Sequence, residues 1–278
     1  LFEKIAPYVP SLWDGQQGRK SDIYPCGGGA GKLLQMTPAP IEVYNDIDKD
    51  LVNFWHVMGK PKLYKKLIRR LTCTPWSRSE FERLCNLDPT TLSKVARAHR
   101  SYVLSRQSMA GVSGDLVKPS DWRYRYQGHS PVKTWVKAVD NLWAVADRWS
   151  CVIVESLEAE TVIQKYGRSP WSYIYFDPPY PLSTRSRKKA YKHDPLDSWH
   201  TQIASILRDC PGYVIVSGRS CDLYTSLYEA FDWVRVDLKT VSNSGNIKPD
   251  SLWINPKTWA LYQHKTRIEN NPLWRLLK

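Results

Sequence analysis

The stretch SYIYFDPPYPLSTR, residues 172–185, decides how this chain is read. Ser172 to Phe176 has the β-branched and aromatic character of a buried strand. It stops at Asp177-Pro178-Pro179-Tyr180. Two prolines end sheet pairing, because neither offers an N–H to a neighbouring strand. A plain strand terminator accounts for that much. A carboxylate beside two residues of fixed φ and an aromatic ring is also a chemical device, and the surrounding chain has to discriminate between the two.

Outward from that stretch, short apolar runs alternate with helical patterns. Strands are expected at residues 21–25, 41–44, 151–155, 212–218 and 233–238, and helices at about 47–58, 159–166 and 220–230. Asp194-Pro195 reads as the opening of another helix, to about Arg208. The final apolar runs, SLWIN (251–255) and TWALYQ (258–263), read as a hairpin. Such alternation predicts an α/β fold: a mainly parallel, Rossmann-like sheet with helices on both faces.

Between Lys60 and His129 the character changes, and no strand signal appears. Ser77 followed by Glu80 is a capping box. Asp88-Pro89 reads as an N-cap and first-turn proline for a helix reaching Gln107. Ser130-Pro131 opens a further helix, and Trp135, Val139, Leu142, Ala146 and Trp149 recur along one face of it. The expected organisation is a discontinuous catalytic domain over 1–59 and 130–264, a helical insert over 60–129 and a basic tail over 265–278.

Composition limits the partners. The 278 residues carry a formal net charge of +13, with 13 Trp and 16 Tyr. That balance favours a polyanion, and aromatics beside cations suit nucleic acid. The six cysteines form no C-x-x-C and have no nearby histidine cluster, so neither a zinc site nor a disulfide framework is expected. No eighteen-residue apolar run is present, so no membrane span is expected. Leu1 to Pro10 lacks the basic front and apolar middle of a signal peptide.

YPCGGGAG, Tyr24 to Gly31, follows the first strand. Glycines there let backbone approach a ligand, as in nucleotide-binding turns. Asp46, nineteen residues after Gly27, follows the second strand, where a ribose diol would be held. The dinucleotide pattern G-x-G-x-x-G fails, because Lys32 stands at its third glycine. The three glycines alone are weak evidence, and Asp46 at that distance favours a cofactor loop over an ordinary tight turn plus a helix-capping Asp.

Asp177-Pro178-Pro179-Tyr180 suits an exocyclic amine of a nucleobase. The amine's lone pair is delocalised into the ring, so it is a poor nucleophile. Two acceptors aimed at its hydrogens favour a more tetrahedral nitrogen. Asp177 offers a carboxylate. Pro178 offers a carbonyl held extended by Pro179. Tyr180 offers a ring to stack on the base. A base presented in this way must leave the duplex. Opposite a sulfonium methyl, in-line transfer needs neither metal nor covalent intermediate.

This tetrapeptide resembles the catalytic motif of amino-group DNA methyltransferases. IEVYNDIDKDLVNFW, LTCTPWSRSEFERL, VLSRQSMAG, DWRYRY, DPPYPLSTRS, YKHD and SLWIN are similar to segments of the Dam-like adenine methyltransferases. The order glycine loop, insert, Asp-Pro-Pro-Tyr is that of the alpha class, and the resemblance covers roughly residues 3 to 256. It implies S-adenosylmethionine as cofactor, held by Pro25, Cys26, Gly27, Gly29 and Asp46, with Glu158 at a position usually occupied by Asp. It implies double-stranded DNA as partner, with Asp177, Pro178, Pro179 and Tyr180 around a flipped adenine. It also implies a bacterial or phage-infected cytoplasm and a partner restriction nuclease. Tyr24-Pro25 stands where the family has Pro-Phe.

Three basic groups are candidate DNA contacts, one of them the tract Lys60, Lys62, Lys65, Lys66, Arg69 and Arg70, which reads as phosphate contacts or plain solubility. Arg185, Arg187, Lys188 and Lys189 follow the tetrapeptide. Arg123, Arg125 and Tyr126 lie in the insert, where arginine reads guanine and an aromatic fills a gap left by a flipped base. Cytosine N4 methylation and a catalytically weakened DNA-binding relative remain alternatives at this point.

Overall fold

The computed structural model describes residues 2–108, 122–123, 130–184, 195–238 and 250–269. They form two compact units. The first comprises 2–45, 157–184, 195–238 and 250–269; the second comprises 46–108, 122–123 and 130–156.

Numbered along the whole chain, the first unit contains α1 (Phe2–Ile5), β1 (Ser21–Tyr24), α2 (Gly31–Gln35) and β2 (Ile41–Asn45). It resumes with α9 (Ala159–Tyr166), β4 (Ser172–Phe176), α10 (Asp197–Arg208) and β5 (Tyr213–Arg219). It ends with α11 (Asp222–Leu227), β6 (Val234–Leu238), β7 (Asp250–Ile254) and α12 (Pro256–Glu269). The second unit contains α3 (Lys49–Met58), α4 (Pro61–Thr72), α5 (Arg78–Cys85) and α6 (Lys94–Gln107). α7 (Pro131–Asp140), α8 (Leu142–Trp149) and the short strand β3 (Val152–Glu155) complete it.

Within the first unit the strand order is β2-β1-β4-β5-β7-β6. β1 pairs parallel with β2 and with β4, and β4 pairs parallel with β5. β7 runs antiparallel between β5 and β6. The chain leaves β1 towards β2 on one side and later fills β4 on the other. The ends of β1 and β4 therefore form a topological switch point, where open α/β sheets bind ligands.

The side-chain period of two divides each strand between two faces. Ile23, Val43, Ile174, Phe176, Val214 and Val216 join one buried cluster with Ala159, Val162 and Ile163 of α9 and Ile203, Ala204 and Leu207 of α10. By alternation, Asp22, Tyr24, Glu42, Tyr44, Tyr173 and Tyr175 belong to the opposite face, and all six are buried. Asp22 is matched there by Arg19, whose Nη1 lies 2.7 Å from Oδ1. Removing one partner of such a buried pair costs about 3–5 kcal/mol, because the other charge is left uncompensated.

The second unit closes on aromatic contacts. Trp55 stacks on Trp149 at 4.0 Å and Phe54 on Tyr102 at 5.5 Å. The expected stripe is fully used, since Trp135, Val139, Leu142, Ala146 and Trp149 are all buried. It is carried by two helices, not one, which meet at Asn141. Ser77 caps α5 by accepting from the Glu80 N–H, and Ser130 caps α7 by accepting from the Lys133 N–H.

Several expectations are corrected. Residues 258–263 are not a hairpin strand but part of α12. Asn255 Oδ1 accepts from the Thr258 N–H at 3.1 Å, and Pro256 follows it, so Asn-Pro starts a helix. β7 finds its antiparallel partners in β6 and β5 instead. Asp88-Pro89 opens only one 3-10 turn, Pro89–Thr91. Leu92 is extended, and Ser93 caps α6 anew through the Ala96 N–H at 3.3 Å. α10 begins at Asp197, three residues beyond Asp194. The expected 220–230 helix is α11 followed by a 3-10 turn, Glu229–Phe231. No helix among the described residues is long and apolar enough to cross a membrane, and none of their His, Cys, Asp and Glu side chains group in threes as metal ligands would.

Candidate active site

β1 and β4 are parallel neighbours, with Ser21 level with Ser172 and Ile23 with Ile174. The glycine turn that leaves β1 and the Asp-Pro-Pro-Tyr segment that leaves β4 thus emerge at the same edge of the sheet. The two motifs are about 150 residues apart in sequence, and parallel pairing alone brings them together.

Asp177 is fixed by the next strand. Phe176 pairs with Val216, so Asp177 comes level with Ser217 of β5. Ser217 Oγ donates to Asp177 Oδ1 at 2.7 Å. Burial raises the Asp177 carboxyl above the usual carboxylate range. The Ser217 bond and the Lys32 ammonium act against that rise, and Asp250 adds to it. Lys32, in α2, is itself shifted down by burial, while Asp177 and Asp250 oppose the shift. Its Nζ stands 5.8 Å from the Tyr175 ring centre.

Pro178 is buried, and Pro179 and Tyr180 are partly exposed. The segment beyond them is held by Arg219, the last residue of β5. Arg219 Nη1 donates to the Thr184 carbonyl at 3.0 Å, and its guanidinium lies 5.9 Å from the Tyr180 ring. Thr184 in turn donates to the Pro181 carbonyl through both its N–H and its hydroxyl.

The glycine turn is shaped by β2. The Gly27 N–H donates to the Asn45 carbonyl at 2.7 Å, and a Cβ on Gly27 would lie 2.2 Å from the Tyr44 ring. Only glycine fits there. Tyr44 donates its hydroxyl to the Gly28 carbonyl at 2.8 Å, and Gly28 has φ +49°. Around Gly28 and Gly29 a Cβ would meet no atom of the described residues within 4 Å, so among them there is room for a ligand beside the turn. Pro25 is buried and Cys26 partly buried.

Asn45 joins two turns. Its Nδ2 donates to the Pro25 carbonyl at 2.8 Å and to the Leu157 carbonyl at 2.9 Å. Its Oδ1 accepts from the Leu157 N–H at 2.8 Å. Leu157 precedes Glu158, the exposed N-cap residue of α9. A turn whose carbonyls and shape are set from outside, with an open glycine backbone, fits a nucleoside-bearing cofactor such as S-adenosylmethionine. Asp46, which directly follows β2, accepts from the Asp48 N–H at 2.8 Å within the second unit.

Pro25 occupies the register where the resemblance places a phenylalanine, and before it stands Tyr24. The Tyr24 ring is buried 6.4 Å from the Tyr175 ring, and its hydroxyl has no hydrogen-bond partner among the described residues. In the second unit, Trp122 and Arg123 are tied to α6. The Arg123 N–H donates to the Gln107 carbonyl at 2.7 Å, and Trp122 Nε1 donates to Gln107 Oε1 at 3.2 Å. Arg125, Tyr126, Arg185, Arg187, Lys188 and Lys189 lie outside the described residues.

Ser217, Asn45 and Arg219 are not among the residues that the sequence motifs single out, and Lys32 enters there only as a missing glycine. A signal exists for two of them. Ser217 ends the apolar part of β5 level with Asp177, and Asn45 is the only amide in β2.

A family model described as D12 class N6 adenine-specific DNA methyltransferase matches residues 26–241. No curated protein matches the chain. The match covers the glycine turn from Cys26 onward, the whole Asp-Pro-Pro-Tyr segment and strands β2, β4, β5 and β6, and it selects adenine N6 over cytosine N4. The chain belongs to the D12 class of N6 adenine-specific DNA methyltransferases, enzymes that use S-adenosylmethionine to methylate adenine in DNA.

Proposed function

We propose that Asp177 and the Pro178 carbonyl accept the two N6 hydrogens of an adenine turned out of the duplex. Pro179 keeps that carbonyl extended, and Tyr180 stacks on the base. Ser217 aims the Asp177 carboxylate and favours its charge against burial, and Lys32 supports that charge. When bound, S-adenosylmethionine supplies an electrophilic methyl on sulfur. Pro25, Cys26, Gly27 and Gly29 hold it, Asp46 takes the ribose hydroxyls, and Glu158 lies towards the adenine of the cofactor. The residues act by positioning two reactants and by favouring charge that develops on N6.

One observation supports this reading above the others: parallel pairing of β1 with β4 and of β4 with β5, with Asp177 bonded to Ser217 at the same sheet edge as the open glycine turn. Asp177→Ala is expected to abolish transfer of labelled methyl to adenine while leaving DNA affinity largely intact. Equal loss of both would assign Asp177 a structural role and refute the assignment.

The DNA contacts in this proposal are Arg123, Arg125, Tyr126, Arg185, Arg187, Lys188 and Lys189. The chain is divided in it into a catalytic domain over 1–59 and 130–264, a recognition insert over 60–129 and a basic tail over 265–278. A partner restriction nuclease and the cytoplasm of a bacterial or phage-infected host belong to it through the resemblance alone.

A further inference from the structure

The second unit contains a cationic cleft that the roles above leave unused. It has a volume of about 570 Å³ and is lined by Lys66, Arg69, Arg70, Thr74, Glu80 and His99. α4 supplies its three cations. The helix carries Lys62, Lys65, Lys66, Arg69 and Arg70 and no acid. Leu67, Ile68 and Leu71 are buried, so all five charges fall on the outward side.

Like charges three and four positions apart destabilise a helix, and Lys66 has Arg69 and Arg70 at those spacings. The helix C-terminus offsets this for Arg69 and Arg70, whose charges complement the dipole. It does nothing for Lys62, Lys65 and Lys66, which lie further up. Among the described residues Lys66, Arg69 and Arg70 form no ion pair.

The one carboxylate among the described lining residues is already engaged. Glu80 Oε1 and Oε2 each accept from Arg83 at 2.8 Å. The floor is neutral and fixed. Thr74 Oγ1 donates to the Arg70 carbonyl at 2.7 Å, which uses its only hydrogen. The contact of 2.7 Å between Thr74 Oγ1 and His99 Nε2 therefore has Nε2 as donor. His99 is buried, and burial and Arg70 hold it uncharged near neutrality. The end of α4 thus presents three cations over a neutral floor.

We infer that this cleft seats backbone phosphates of the DNA duplex, giving the second unit a sequence-independent grip. The inference rests on the DNA methyltransferase reading and adds to it a site that no base contact requires. Each phosphate neutralised contributes about 0.9 to the slope of log affinity against log salt.

The test compares the full chain with the triple variant Lys66→Ala, Arg69→Ala, Arg70→Ala. A labelled duplex of mixed sequence is titrated by anisotropy between about 50 and 200 mM salt. The expected variant slope is shallower by about two to three, so the affinity lost across that range shrinks roughly 40-fold for three contacts. S-adenosylmethionine affinity should stay unchanged. A slope equal to that of the wild type overturns the assignment and leaves the cleft to an acidic protein surface. If alanine prevents folding, the Lys66→Gln, Arg69→Gln, Arg70→Gln variant keeps the stems, and the same outcomes apply. Wild-type adenine methylation measured alongside separates the two readings. Methylation with an unchanged variant slope sinks only the cleft, and its absence sinks the enzyme.

Discussion

Ser217→Ala removes one hydroxyl and leaves the backbone of β5 in place. The lost bond is the 2.7 Å contact to Asp177 Oδ1. Hydrogen bonds to charged groups contribute about 1.5–3 kcal/mol. If that contribution goes into aiming Asp177 at the amine, its loss is roughly 10- to 150-fold in kcat/KM. The pH dependence gives the sharper readout. Burial already raises the Asp177 carboxyl, and Asp250 adds to it, while Ser217 and Lys32 counter it. Tyr175 and Tyr224 face it as well, but as neutral groups, since burial raises both well above the ordinary tyrosine range. Deleting the Ser217 donor removes one of the two countering influences, so the carboxyl must rise further. The acid limb of kcat/KM moves to higher pH, and the loss of rate is greatest on the acid side. Single-turnover methylation of a labelled duplex across pH, with calorimetry for the cofactor and anisotropy for DNA, measures each part. Unchanged binding with a slower rate and a shifted limb is expected. A rate within about twofold of wild type, well short of the lost bond's worth, and an unmoved limb would refute the reasoning. A slower rate with an unmoved limb would reduce Ser217 to a packing residue.

Asn45→Asp keeps one acceptor for the Leu157 N–H but turns both donated bonds into contacts between a carboxylate and carbonyls. S-adenosylmethionine should bind roughly tenfold more weakly or worse by calorimetry, about 1.4 kcal/mol, with DNA affinity retained; equal losses would mark a folding defect. Gly27→Ala forces the Tyr44 ring or the turn to move, since the new Cβ would sit 2.2 Å from it. Overpacking of this kind costs about 1–3 kcal/mol, and cofactor binding in the variant should fall, while unchanged calorimetry would show that the turn yields freely. His99 is buried and its pKa is lowered to about 4, so the folded chain resists a proton that the unfolded chain takes up from about pH 6.5 downward. Stability is therefore lost as pH falls through that window, by about 2 kcal/mol at about pH 5. His99→Gln keeps a donor for Thr74 and cannot titrate, so its urea midpoint should fall less than that of wild type between about pH 7.5 and 5; parallel curves would exclude His99 as the cause.

Much of the fold is open to reading along the chain. The strand at 172–176, the glycine turn, the caps at Ser77 and Ser130 and the buried face from Trp135 to Trp149 all follow from residues near one another. Local propensity and capping act over three or four positions, so neighbouring residues carry the information. Residues 258–263 mislead because a short apolar run suits strand and helix alike. Asn255-Pro256, just ahead of it, holds the signal that resolves the choice.

The sequence alone determined that a carboxylate, two prolines and a tyrosine end a buried strand, that glycines follow another, and that the chain is strongly basic. Tertiary structure decided what holds them. Ser217 reaches Asp177 across 40 positions, Arg219 reaches Thr184 across 35, and Asn45 reaches Leu157 across 112. None of these pairs has a local signature. The first exists because parallel register sets the end of β4 level with Ser217 of β5, and register is fixed by the packing of whole faces, which only the folded chain possesses.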